Sequence, residues 1–231
     1  MGEAIGRAGL RDWRKLAQGL HARYVVADFG EAVRFVTAID EGGDPGGHRP
    51  RVRIGAGHVD LEVVSADGVY RDDDTELTGV EWVTQRDVDL ARRIAQVAAD
   101  LGIDADPGAV TEVELGLDVT ASAKVAPVWA ALLTGDAQSQ GRGSPSDEVR
   151  DATVRVPNLW FGDLEEGDEG RGPRFHVEVY VAPEEVEGRV AAVLAAGGRV
   201  VDDSQAPGLT VIADPEGNRG VLCADVGAAP A

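Results

Sequence analysis

The sequence predicts an α+β fold: an antiparallel sheet with helices on one face, followed by paired βαβββ modules. Three observations carry that expectation. Residues 51–63 alternate between polar and apolar side chains around Gly55-Ala56-Gly57, the mark of a hairpin with one wet and one dry face. Residues 84–102 hold the strongest helical stripe in the chain. One pattern, a strand, a helix and then short strands, occurs twice after residue 110.

Leu10, Trp13, Leu16 and Ala17 recur at helical spacing and predict an amphipathic helix over residues 7–18. Residues 22–26 read as a core strand with Tyr24 and Val26 on one face, and His21 at its start reads as a solvated surface histidine. Asp28 and Glu31 can form a capping box. The helix they open carries Ala32, Val33, Phe35, Val36 and Ile39, and the glycine-rich run 41–47 stops it. Gly47-His48-Arg49-Pro50 leads into the hairpin, with His48 and Arg49 as the polar cluster at its mouth. In the hairpin Val52 and Ile54 alternate with Arg51 and Arg53, then Val59, Leu61 and Val63 with Asp60 and Glu62.

Residues 67–81 turn acidic and irregular, which predicts a solvated loop. Its centre, Arg71-Asp72-Asp73-Asp74, lacks the spacing of a calcium-binding loop. Thr84 and Asp87 form a second capping box. Val88, Ala91, Ile94, Val97, Ala98 and Leu101 make the stripe, and Gly102 ends it. Residues 103–110 are rich in Asp, Pro and Gly and read as a linker between domains at 1–103 and 110–226.

Beyond it, Val113, Leu115, Leu117 and Val119 alternate as a strand. A helix with Val125, Val128, Trp129, Leu132 and Leu133 follows, Trp129 in the core and Gly135 at the close. Pro127 fits only near that helix's first turn. Residues 153–156 and 159–161 then read as strands. In the second copy Phe175, Val177, Val179 and Val181 alternate, Pro183 suits a first helical position, and a helix spans 184–196. Strands follow at 199–201, 209–213 and 220–223, the last two joined by a turn at Asp214-Pro215-Glu216-Gly217-Asn218.

Composition excludes several classes. The 231 residues carry a formal net charge of −19 and a pI near 4.5, which repel phosphate backbones and anionic membrane surfaces. We therefore expect no nucleic-acid partner and no membrane partner. No apolar run approaches the ~20 residues of a membrane span, and Met1-Gly2-Glu3 lacks a basic secretory start. A single cysteine, Cys223, fits a reducing cytoplasm. The low aromatic share of 5% implies an aliphatic core. Lys15 and Lys124 are the only lysines beside many arginines, a bias in keeping with a GC-rich bacterial genome.

The first hundred residues resemble the pterin-4a-carbinolamine dehydratase family, on Trp13, Asp28-Phe29, His48-Arg49-Pro50 and Thr84-Gln85-Arg86-Asp87. In that family a helix opening with Asp-Phe is followed by a His-His-Pro loop and a hairpin. The resemblance implies a site of adjacent histidines plus a third just past the second hairpin strand. Here His48 keeps the first place, Arg49 replaces the second, and the third reads Ala66. It also implies that Asp87 borders the pterin site and that loop 67–81 is an insertion beside it, a lid or a filler. Residues 110–225 resemble the vicinal-oxygen-chelate superfamily of glyoxalase and bleomycin-resistance proteins, on Leu159-Trp160-Phe161, Phe175-His176-Val177-Glu178 and the 214–218 turn. There the metal-ligand places fall on Glu114 or Glu112, Gly162, His176 and Val221. Two of these four cannot bind a metal, so we expect no metal and no cofactor.

The expected catalytic residues are His48, Arg49 and Asp87. Dehydrating a carbinolamine needs a base for the ring N–H and an acid for the leaving hydroxyl, work suited to imidazole. Arg49 stays protonated and suits holding a planar heterocycle or an anion, with Asp87 able to pair with it. The expected ligand-binding residues of the second domain are Trp160, Phe161, His176 and Glu178. One of the two aromatic residues faces the concave side, and His176 and Glu178 share a face. Two readings stand: a weakened dehydratase that binds a pterin or a similar aromatic heterocycle, and a metal-independent small-molecule binder acting through the second domain. A homo-oligomer fits the first resemblance, whose family also serves as a dimerisation partner.

Overall fold

Two sheets and a ribbon organise the chain. The computed structural model describes residues 9–42, 46–71, 76–134, 136–139, 148–150, 156–164, 175–213, 215 and 219–225. The first sheet holds β1 (Arg14–Leu16), β2 (Gly19–Val25), β3 (Arg51–Gly55) and β4 (His58–Val63) in the order β1-β2-β4-β3, every pair antiparallel. Helices α1 (Phe29–Glu41) and α2 (Gln85–Leu101) cover one face. Between sheet and helices lie Leu20, Tyr24, Phe35, Leu61, Leu90 and Ile94, all essentially without solvent contact. Tyr24 stacks edge-on against both Phe35 and Trp13, at 5.0 and 6.5 Å between centroids.

The helix expected over residues 7–18 is not there. Arg7 and Ala8 lie outside the described residues; beyond them a turn leads into β1, which hydrogen-bonds back onto β2. Leu10, Trp13 and Leu16 are buried as the stripe required, but by a turn and a hairpin. Ala17 at φ 44° makes the reversal, a left-handed conformation no helix contains. His21 faces inward at 9% exposure, contrary to a solvated role.

Both N-caps form, and the box closes fully only at the second. Asp28 Oδ1 accepts the Glu31 N–H at 2.8 Å, while Glu31 reaches back to the N–H of Ala27, one residue before the cap. At α2, Thr84 and Asp87 satisfy each other reciprocally, and Gly102 takes φ 70° to close the helix. Within 67–81, residues 67–71 and 76–81 are not loop: they lie in a two-stranded ribbon, β5 (Ser65–Arg71) and β6 (Glu76–Trp82), and residues 72–75 with the Asp72-Asp73-Asp74 cluster lie outside the described residues. The linker is not free either. Val25 N–H donates to Asp104 and Asp106 N–H to Arg23, so it lies along β2 before a 3-10 turn at Pro107–Ala109.

The second sheet holds β7 (Thr111–Val119), β8 (Asn158–Asp163), β9 (Phe175–Val181), β10 (Arg199–Gln205), β11 (Leu209–Ala213) and β12 (Arg219–Cys223). Their order across it is β10-β11-β12-β9-β7-β8. Strands β7 and β8 pair in parallel, as do β9 and β12, and the other neighbours are antiparallel. With α4 (Val186–Ala195) the second βαβββ copy is complete. The first copy shows β7, α3 (Ser122–Thr134) and β8, and residues 153–155 of its expected extra strand lie outside the described residues. Pro127 sits in the second turn of α3, deeper than expected. The α3 side of the sheet buries Leu117, Val119, Leu159 and Phe161 against Ala126 and Ala130. Gly135 and most of the 214–218 turn lie outside the described residues.

Candidate functional site

His48 follows Gly47, whose φ of +79° turns the chain in toward the start of α2. There His48 Nε2 meets Asp87 Oδ1 at 2.7 Å, with the His48 side chain 13% exposed and Asp87 not at all. Asp87 is held from every side. Its Oδ2 accepts the Thr84 N–H at 2.6 Å, the Thr84 hydroxyl at 2.7 Å and the Ser65 hydroxyl at 2.8 Å. A carboxylate so placed fixes the ring that donates to it. With Nε2–H spent on Asp87, the neutral His48 ring presents Nδ1 as its proton acceptor.

Arg49 does not join them. Its Nε donates to Asp40 Oδ1 at 2.6 Å and its Nη1 to the His48 carbonyl at 3.2 Å, so the guanidinium is drawn toward the end of α1. The expected Arg49–Asp87 pair is replaced by His48–Asp87, because the adjacent imidazole reaches the buried carboxylate first. On β5 it is Ser65 that turns to Asp87, while Ala66 is exposed. Ser65 was missed by sequence reasoning: it falls between the last alternating hairpin residue, Val63, and the start of the stretch read as loop at 67, so no alternation gave its direction.

On the second sheet, Phe161 is 4% exposed and packs under α3, so it lines no ligand wall. Trp160 takes the opposite face, edge-on to His176 at 5.3 Å between centroids. His176 Nε2 lies 3.7 Å from Glu178 Oε1, an ion-pair separation that holds the imidazole's pKa above its ordinary value, with Asp118 adding to the effect. Tyr180 donates to Glu178 at 2.9 Å, and Asn158 donates to Glu114 at 2.8 Å. Gly116 stands opposite His176 in register, and a Cβ there would fall 2.4 Å from the ring. That glycine, set in the middle of a strand, was the available signal for the close approach. Burial, with Glu178 and Glu114 nearby, pushes the Cys223 thiol up to about 12, leaving it inert.

These donors do not fit a metal. Glu114 is engaged by Asn158 and by Gln18 in the turn between β1 and β2, and Gly162 and Val221 offer no ligating side-chain atom. Among the described residues no three His, Cys, Asp or Glu side chains converge as a ligand set.

Comparison with known proteins finds a likeness for each half. Residues 3–97 match the family described as pterin 4 alpha carbinolamine dehydratase, and residues 114–223 match the glyoxalase-like domain. The chain joins a pterin-dehydratase-like unit to a glyoxalase-like unit. A protein of Koribacter versatilis (strain Ellin345), named provisionally as a pterin-4-alpha-carbinolamine dehydratase, is 27% identical over 88 residues. The match covers 38% of this chain and 81% of that one. Among solved structures, an NAD-dependent benzaldehyde dehydrogenase from Legionella pneumophila aligns with TM-score 0.36 and 16% identity, over 48% of this chain and 97% of that one. A glyoxalase/bleomycin resistance protein/dioxygenase superfamily member from Vibrio splendidus 12B01 aligns with TM-score 0.31 and 13% identity, over 50% and 100%.

Seen as a dehydratase-like unit, the first half presents one imidazole where the resemblance implied three. In the glyoxalase-like unit, the polar face of the sheet meets the dehydratase-like unit. Gln18 bonds Glu114, Arg14 pairs with Glu184, and Arg150 pairs with Glu81. Lys15 lies over the Trp82 ring with its ammonium on the Ala17 carbonyl, and burial brings its pKa down to about 8 against the pull of Asp225 and Glu114. No helix among the described residues is long and apolar enough to cross a membrane.

Proposed function

We propose that the dehydratase-like unit binds a reduced pterin or a similar planar heteroaromatic molecule beside His48 and dehydrates its carbinolamine weakly. The observation that carries this reading is the His48–Asp87 pair, in which a fully buried carboxylate holds the imidazole through Nε2 and leaves Nδ1 clear of that bond. In the dehydration the ring N–H gives up its proton, the carbinol carbon loses its hydroxyl as water, and the nitrogen lone pair forms the C=N bond. His48 Nδ1 can take the proton and return it to the departing hydroxyl, so one group works in sequence where two would work together. Asp87 is a positioning residue in this scheme. Arg49, turned to Asp40, adds positive charge at the rim but no proton relay.

The test is turnover of a 4a-hydroxypterin by the full chain. We expect a rate at least ~10²-fold below that of a three-histidine relative, since two acid–base groups are missing and each contributes about that much or more. His48→Ala should remove what remains, and Arg49→His should raise the rate. A rate equal to the relative's, or one that His48→Ala leaves intact, overturns the reading. The second reading, metal-independent binding by the glyoxalase-like unit, is favoured by one observation: Trp160, His176 and Glu178 share one polar face. An aromatic ligand there should quench tryptophan fluorescence in the full chain and lose affinity in Trp160→Ala but not in His48→Ala.

A further inference from the structure

The polar face of the first sheet closes over the start of β7 and leaves a cleft of about 280 Å³. Strand register explains its charges. One row across the sheet reads Arg23, Asp60, Arg53, and the next reads His21, Glu62, Arg51. Asp60 is taken by Arg23 through two bonds, at 2.6 and 2.7 Å, and Glu62 is taken by Arg51 at 2.9 Å. Arg53 is thereby left as the odd cation of the face, with no ion pair among the described residues. From the other unit comes one carboxyl, Glu112, beside Thr111. Glu112 bonds to the backbone of Val113 and faces Glu62 and Glu114 as like charges and Arg53 as the opposite one. One cation and one anion thus border the same void without a direct bond to each other.

We propose that this cleft binds a small zwitterion of the α-amino-acid type, its carboxylate on Arg53 and its ammonium on Glu112. A plain anion would add charge beside Glu62 and Glu112, and a plain cation would meet Arg51 and Arg53. A molecule carrying both charges completes both rows. Guanidinium and carboxylate match as a two-pronged pair, the stronger kind of charge-assisted hydrogen bond. The void is slightly smaller than the ~300 Å³ at which drug-sized sites begin, which suits a ligand of amino-acid size. Burial and the neighbouring Glu62 and Glu114 hold Glu112 up at about 7. Binding should therefore strengthen as pH rises through 7, until the ligand's own amine loses its proton.

Calorimetry on the full chain at pH 7.5 tests this with L-alanine, L-serine and L-glutamine, and with N-acetyl-L-alanine and L-alaninamide as probes lacking one charge. We expect saturable binding of at least one free amino acid, weakened about tenfold or more when either end is capped. Arg53→Gln and Glu112→Gln should each weaken it to the same degree, and Arg53→Lys, which keeps the charge but not the fork, should weaken it less. His48→Ala should leave it unchanged, which separates this site from the pterin reading. Absence of saturable binding by any free amino acid, equal binding of the capped probes, or binding that survives Arg53→Gln and Glu112→Gln in folded protein would overturn the proposal.

Discussion

Asp87 and Glu112 are two carboxyl groups taken out of water in opposite ways. Asp87 lies under His48 with four hydrogen bonds on its two oxygens, drawn from a helix cap, two hydroxyls and the imidazole. Glu112 lies between the two units with a backbone bond and two like charges, and its pKa is pushed up to about 7. The first is stabilised by partners and the second by keeping its proton. The contrast separates a built site from an unfinished one. Where several donors converge, the carboxylate orients a neighbour; where the nearby cation, Arg53, makes no direct bond, the site still has room for one.

The comparison is broken most directly at Asp87. Asp87→Ala removes a helix cap and strands His48, Ser65 and Thr84 around a void. Losing one partner of a buried pair typically costs about 3–5 kcal/mol, and the cap alone about 1. We expect urea unfolding to show a loss of roughly 3 kcal/mol or more. Asp87→Asn, which keeps the shape, should lose less while still weakening the pterin binding proposed above. A loss under about 1 kcal/mol in Asp87→Ala would mean that the network contributes little beyond an exposed cap.

His21 sharpens the contrast from the basic side. Burial first, then the charges of Lys15 and Arg51, bring its pKa down to about 4. The folded state thus resists a proton that the unfolded chain accepts near 6.5. Stability from the neutral ring is present above pH 6.5 and lost as pH falls toward 4, by about 3 kcal/mol at most. Glu112 acts in the opposite sense over the same range, so the informative quantity is the difference between variant and wild type. His21→Gln should flatten the acid limb of a stability–pH profile, and an unchanged limb would place His21 in contact with water.

How much of this was legible follows from which forces are local. Both helices of the first unit, their caps and the β3–β4 hairpin were readable, because capping and alternation are written within a few residues. The site was half readable. His48 and Asp87 were picked out, but their pairing at 2.7 Å across 39 positions in sequence was not, and Arg49 was misassigned as Asp87's partner. The errors cluster where tertiary burial overrides a local pattern. Leu10, Trp13 and Leu16 share helical spacing yet are buried by a hairpin. The described parts of the acidic stretch, 67–71 and 76–81, pair as a ribbon because strand pairing depends on a partner strand more than on composition. His21 looked like a surface residue because the second unit that covers its side of the sheet comes from a distant part of the sequence.

The smallest effect is expected at Glu112, and its sign is the informative part. Its folded pKa of about 7 lies above the 4.5 of an unperturbed glutamate. Stability from the protonated carboxyl is therefore fully present below pH 4.5 and is lost as pH rises through 7. The full shift would correspond to roughly 3 kcal/mol, and partial exposure to solvent brings the expectation to about 2. Glutamine resembles the protonated acid and cannot ionise. Glu112→Gln should match wild type at pH 4 and exceed it by about 2 kcal/mol at pH 8, read from urea midpoints at both values. A free amino acid that occupies the cleft should narrow that gap at pH 8, because its ammonium would stabilise the ionised Glu112 of the wild type and find no charge in the variant. Equal stabilisation at pH 4 and pH 8 would show that the substitution acts through packing rather than through charge, and Glu112 would then lose its standing as the unmatched anion of the seam.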